Sequence, residues 1–216
     1  MAISERTVEE LRLLADRYPN PRSALLPMLH LVQSEESAVT PEGVRACAEV
    51  LGLTPAEVTA VASFYTMYKN EIMGRHHVGV CTNTLCAVLG GDAVWEALVE
   101  AVGDGTPLGN HGRTVSTEDF FLERIECQAA CTHAPVMTVD WEFIDDVTPK
   151  AAVDIVGRLK AGEQVNATRG PAIRGIAATE RTLAFPDDGL ADANCVDDKM
   201  LAGLRAHKDA PSGEDQ

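Results

Sequence analysis

Cys81-Thr-Asn-Thr-Leu-Cys86 and Cys127-Gln-Ala-Ala-Cys131 decide how this chain is read. Four residues lie inside the first pair, three inside the second, and forty separate the pairs. The run His76 to Val80 predicts a short strand ending at Cys81, and Phe120 to Ile125 predicts another leading to Cys127. Each pair therefore stands where a strand gives way to a loop, and the fold can gather four thiolates around one point. Such a set holds a two-iron, two-sulfur cluster or a structural zinc. Zinc ligands are more often two residues apart, yet spacing leaves both readings open. A thioredoxin-type redox dithiol is disfavoured, because neither pair is Cys-x-x-Cys.

The flanks of the two loops add chemistry. Thr82, Asn83 and Thr84 offer donors that can reach cluster sulfurs, or serve as ordinary turn chemistry. Gly90-Gly91 allows close backbone approach or starts a helix. Ala129 and Ala130 are small enough for a bulky cofactor to sit against them, and Pro135 stiffens the exit. Cys47 falls within a predicted helix and reads as core, and Cys195 reads as a free thiol. His76-His77 reads as surface. His133, two residues after Cys131, reads as a solvated loop histidine with the alternative of tuning a cluster.

Upstream, residues 7 to about 70 read as helical. Thr7 with Glu10 forms a capping box, and Tyr18-Pro-Asn-Pro21 ends that helix. Ser23 to Val32 is a second helix, with Pro27 near its first turn. Thr40-Pro41 opens a third that stops at Gly52. Thr54-Pro-Ala-Glu57 opens a fourth, with Val58, Val61, Phe64, Tyr65 and Tyr68 along it. Four short helices with apolar stripes predict a small bundle.

Downstream, Asp92 to Val102 reads as a helix closed by Gly103. Val136 to Val139 and Glu142 to Val147 read as a hairpin. Thr148-Pro149 caps a helix through Leu159 that ends at Gly162, and a weak strand is placed near Thr114. The expected fold is α+β: an N-terminal four-helix bundle (7–72), a thioredoxin-like α/β domain with a mixed sheet (73–162), and an irregular C-terminal tail (163–216). Within that tail, Gly170-Pro171, Pro186-Asp-Asp-Gly189 and Pro211-Ser-Gly213 interrupt any period, and a short helix is placed around Lys199 to Arg205.

The chain has 216 residues, 45 % of them hydrophobic, enough for one or two domains with real cores. Its net charge of −15 argues against nucleic-acid binding, which needs a basic footprint. No apolar run approaches membrane-spanning length, and the N-terminus carries no secretory pattern. A cytosolic chain keeps its thiols reduced, which favours metal ligation over disulfides and makes Asn166-Ala-Thr168 a chance sequon. There is no phosphate loop, dinucleotide fingerprint or nucleophile–base pair.

Four stretches carry a family resemblance: Ala62-Ser-Phe-Tyr-Thr-Met67, Val80-Cys-Thr-Asn-Thr-Leu-Cys86, Glu126-Cys-Gln-Ala-Ala-Cys-Thr-His-Ala-Pro135 and Asp145-Asp-Val-Thr-Pro149. Over about residues 7 to 162 the chain resembles the 24-kDa-type subunits of respiratory complex I, the NADH-quinone oxidoreductase of bacteria. Related subunits occur in NAD(P)-linked hydrogenases and formate dehydrogenases. The resemblance implies one two-iron, two-sulfur cluster on Cys81, Cys86, Cys127 and Cys131, and no catalytic residue on this chain. It implies an electron-transfer subunit beside a partner that carries FMN and oxidises NADH, with other peripheral-arm subunits around it. The place implied is cytoplasmic, held at the inner face of the bacterial plasma membrane through the complex. Where the family often has glycine this chain has Ala129, and where it often has asparagine this chain has His133.

Overall fold

The computed structural model describes residues 3–103, 105–185 and 198–209. Cys195 and the two proline-rich turns at 186–189 and 211–213 lie outside them. Four helices open the chain: α1 (Glu5–Asp16), α2 (Leu25–Glu36), α3 (Pro41–Leu51) and α4 (Pro55–Ala62). Local chemistry sets most of their ends. Thr40 Oγ1 accepts from the Gly43 amide at the start of α3, and Gly52, at φ 64°, closes it. Thr54 and Glu57 form a reciprocal capping box at α4. At α1 the cap is Ser4, whose Oγ accepts from the Thr7 amide at 3.1 Å. Thr7 is thus not the expected cap but lies inside the first turn, where it is buried.

The apolar stripes of these helices meet in one core. Leu11 and Leu14 of α1, Leu25, Met28, Leu29 and Val32 of α2, Cys47 of α3 and Val58 of α4 pack there. Each fully buried leucine contributes about 2 kcal/mol. α4 ends at Ala62, earlier than its apolar pattern predicts, so Phe64 and Tyr65 leave the stripe and are exposed.

The second half is a five-stranded sheet made of β1 (His76–Cys81), β2 (Thr114–Ser116), β3 (Phe120–Ile125), β4 (Met137–Val139) and β5 (Glu142–Ile144). Their order is β2-β3-β1-β4-β5. Only β1 and β3 run parallel, and the other pairs are antiparallel. A short helix α5 (Thr84–Val88) and a longer α6 (Gly91–Val102) link β1 towards β2, and α7 (Pro149–Lys160) follows β5. One face of the sheet presents Val78, Val80, Phe120, Leu122, Met137 and Val139 to Trp95 and Leu98 of α6 and to Val156 and Leu159 of α7. This is the mixed-sheet α+β architecture the pattern predicts.

The two faces of β1 correct the reading of His76 and His77 as surface: His76 stacks on Phe120 on the first face, and His77 points to the other. His77 is fully buried in β1, with Nε2 3.0 Å from Glu123 Oε2 and its ring stacked near Phe121 and tilted against Trp141. His76 Nδ1 lies 2.7 Å from Asp140 Oδ2. Glu123 also binds Lys69 Nζ at 2.5 Å. Each imidazole thus places one nitrogen on a carboxylate, which lets two adjacent histidines occupy an interior strand, although His77 Nδ1 is left buried with no hydrogen-bond partner.

Residues 163–185 are more ordered than Gly170-Pro171 and Gly175 predict. Val165 and Ile173 join the sheet core. Arg169 forks onto Asp145 at 2.7 and 2.8 Å. A helix α8 (Ile176–Ala184) then lies along α2, with Ala184 inside the helical core. Its Glu180 is fully buried between His30 Nδ1 at 2.5 Å and Trp141 Nε1 at 2.8 Å. A last helix α9 (Asp198–Asp209) occupies and extends the expected 199–205 stretch, and Lys199 pairs with Asp146 at 2.7 Å. No described helix is long and apolar enough to cross a membrane.

Candidate metal centre

The parallel pairing of β1 and β3 builds the site. Cys81 is the register partner of Ile125, so the two strands run out of the sheet at the same end. The first strand delivers Cys81 itself, then turns into α5, which carries Cys86. The second continues through Glu126 to Cys127, and Cys131 opens a 3-10 turn through His133. Antiparallel strands would have sent the two loops to opposite ends of the sheet.

All four predicted cysteines come to this end, in two pairs of unlike exposure. Cys81 and Cys86 are buried over an apolar floor of Ile125, Ala130 and Val136. Cys127 and Cys131 are exposed, with their sulfurs 3.8 Å apart. Cys47 is elsewhere, sealed in the helical core, where burial pushes its thiol up to about 12. Among the described residues no group of three or more His, Cys, Asp or Glu is arranged around a single ion.

Electrostatics at the site favour a cationic guest. Burial pushes the Cys86 thiol up to about 11, and the neighbouring Cys81 and Cys131 sulfurs add to that rise. Cys131 is raised chiefly by its hydrogen bond with Cys127. Four acidic sulfurs this close resist joint ionisation unless positive charge lies among them, and iron supplies it. Backbone amides help: the Ala129 amide points at Cys127 Sγ at 3.4 Å, and the Val136 amide lowers the Cys86 thiol against its burial. Four cysteine sulfurs are the donor set that a two-iron cluster would take, so the residues present fit that group.

The loops are shaped for close approach. Gly91, the first residue of α6, lies so near the first loop that a Cβ there would stand 2.5 Å from the Cys81 carbonyl and 2.9 Å from that of Cys86. Of the two expectations for Gly90-Gly91, close approach and helix start, both hold. Ala129 sits at φ 54°, the left-handed region where glycine is at ease.

Of the two readings open for Asn83, a donor to sulfur or ordinary turn chemistry, its amide takes neither. Its Nδ2 donates to Glu126 Oε2 at 3.1 Å, across to the second loop. Arg113 Nη2 donates to Glu126 Oε1 at 2.8 Å. Sequence reasoning missed Arg113 and Glu126. The one available signal was the charge of Glu126 beside a ligand position. His133 corrects another expectation, being buried rather than solvated, with Nδ1 3.6 Å from Asp146 Oδ2.

Residues 11–160 match the family model described as thioredoxin-like [2Fe-2S] ferredoxin. Over 194 residues the chain is 52 % identical to the E subunit of NADH-quinone oxidoreductase from Mycobacterium tuberculosis, covering 88 % of this chain and 74 % of that one. It is 33 % identical over 152 residues to NADH-quinone oxidoreductase subunit 2 of Thermus thermophilus, covering 69 % and 81 %. Among solved structures, an NAD+-reducing [NiFe]-hydrogenase in the H2-reduced state superposes with a TM-score of 0.53 at 18 % identity. That match covers 63 % of this chain but 22 % of the hydrogenase chain, and it speaks to the fold alone.

Proposed function

The chain belongs to the thioredoxin-like [2Fe-2S] ferredoxin family, as an electron-transfer subunit of NADH-quinone oxidoreductase, and on that premise we propose that Cys81, Cys86, Cys127 and Cys131 are the ligands of its cluster. The observation that carries this reading is the parallel register of Cys81 with Ile125, which sends both cysteine loops off one end of the sheet. When bound, the cluster supplies one-electron chemistry. The residues of this chain position it. Cys81 and Cys86 anchor it on the apolar floor, and Cys127 and Cys131 leave one side open to a partner.

The partner in this reading is the FMN-bearing subunit that oxidises NADH, among the other peripheral-arm subunits. Flavin and nicotinamide belong to that partner. The chain would then sit at the inner face of the plasma membrane through the complex, without inserting into it. An equivalent place in an NAD(P)-linked hydrogenase or formate dehydrogenase is the second reading. The identity to complex I subunits over most of the chain favours the first.

The ligand test is spectroscopic. Protein purified without oxygen should hold two irons and two sulfides per chain, from the two-iron ligand set. Cys127→Ser should abolish or severely alter its visible and EPR spectra, and Cys47→Ala should leave them unchanged. A native cluster in Cys127→Ser would sink the assignment. For the partner, NADH should bleach the cluster in a co-purified pair with the NADH-oxidising subunit and leave the isolated chain oxidised. Bleaching of the isolated chain would overturn the division of labour.

A further inference from the structure

The two cysteine loops are joined by side chains as well as by their position. Asn83 follows Cys81 by two residues and sits at the N-cap of α5, the helix that carries Cys86. Glu126 immediately precedes Cys127. The Asn83 amide donates to one Glu126 oxygen at 3.1 Å, and Arg113 donates to the other at 2.8 Å. Arg113 also donates to the Arg124 carbonyl at 3.1 Å, which ties the group back to β3. Together with Thr82 and Ile125, these residues line a cavity of about 220 Å³ beside the ligand loops. The Arg113 guanidinium first, then the Asn83 amide, hold the Glu126 carboxyl below the usual range.

The geometry points to Asn83, Glu126 and Arg113 as a positioning strut that sets the separation of the two cysteine pairs. This rests on the four-cysteine ligand reading. The physical case is one of restraint. The inner pair is fixed by burial, whereas Cys127 and Cys131 stand on an exposed turn. A binuclear cluster needs the two pairs at a set distance, and ordering a loose loop at each binding event carries an entropic cost. An exposed ion pair alone contributes little. Here one carboxylate is held by two partners from two different segments, so its orientation is fixed and it bridges the loops.

The experiment follows cluster loss from the full chain under excess iron chelator, read by visible absorbance and by circular dichroism of the cluster. Asn83→Ala and Glu126→Ala should each speed the loss about fivefold, and the double variant should be no faster than the faster single, because both remove one link. Glu126→Gln should recover part of the effect, since its amide oxygen still accepts from Asn83. The urea midpoint of the metal-free chain should stay in place, which separates positioning from general stability. Wild-type loss rates in the singles, or a double variant whose acceleration is the product of theirs, would overturn the strut. If the strut variants are silent while Cys127→Ser is disrupted, the strut alone falls. A native cluster in Cys127→Ser would remove the ligand reading and the strut with it.

Discussion

Trp141 Nε1 donates to Glu180 Oε1 at 2.8 Å, so the turn between β4 and β5 grips a helix from the C-terminal extension. The other oxygen of Glu180 lies 2.5 Å from His30 on α2. One buried carboxylate therefore connects the sheet, the helical core and α8. Residues 163–185 act as a strap within the molecule.

Glu180→Ala should loosen that strap. It leaves the partly buried Trp141 and His30 nitrogens without their acceptor, a loss on the order of 2 kcal/mol. The urea midpoint followed by far-UV circular dichroism should fall accordingly. Glu180→Gln, which keeps an acceptor for Trp141, should lose less.

Acid should release α8 before the sheet. The hydrogen bond from Arg181 holds the Glu10 carboxyl below its usual range, so its folded pKa is depressed. A depressed carboxylate contributes stability that is present above its unfolded value, about 4.3, and is lost as pH falls through the folded one. Amide exchange in α8 should therefore rise as the solution is acidified below about pH 4.3. Arg181→Ala should raise exchange already at neutral pH and flatten that rise.

Ala129→Gly should stabilise the second cysteine loop. The native φ of 54° costs an alanine about 1 kcal/mol that glycine does not incur. The flexibility glycine adds to the unfolded chain offsets part of that gain. The expected net is a small rise in the thermal midpoint of the loaded protein, measured calorimetrically, with its cluster spectrum retained.

Gly91→Ala should act in the opposite sense. The added methyl meets the Cys81 and Cys86 carbonyls, backbone atoms that cannot swing aside. The first loop must shift, and the expected outcome is cluster lost during purification, counted as iron per chain. Gly157→Ala on α7, where a Cβ meets open space, is the control that should leave iron content unchanged.

What was legible in the sequence was local. Thr40-Pro41, Gly52 and Thr54 with Glu57 mark helix ends because capping is settled within four residues. The cysteine pairs were legible for the same reason, each within one loop. Ser4 was missed because Thr7 with Glu10 makes an equally good pattern three residues on. The rest depends on partners far along the chain. His77 is buried because Glu123 meets it from β3, and Asn83 turns from sulfur because Glu126 stands opposite. α8 holds its place through His30, Trp141 and Glu10, none of which its own nine residues announce.

The parallel register of β1 and β3 also divides the chain into stretches that tolerate a change of length and stretches that do not. One residue inserted between Phe120 and Ile125 would move Cys127 along by about 3.3 Å and turn the following side chains to the opposite face of the sheet. The same insertion between Gly105 and Leu108, in the connection ahead of β2 and outside every strand, would alter neither register nor facing. The path between the cysteine pairs can thus be lengthened where it leaves the sheet, but the two strands that deliver them cannot.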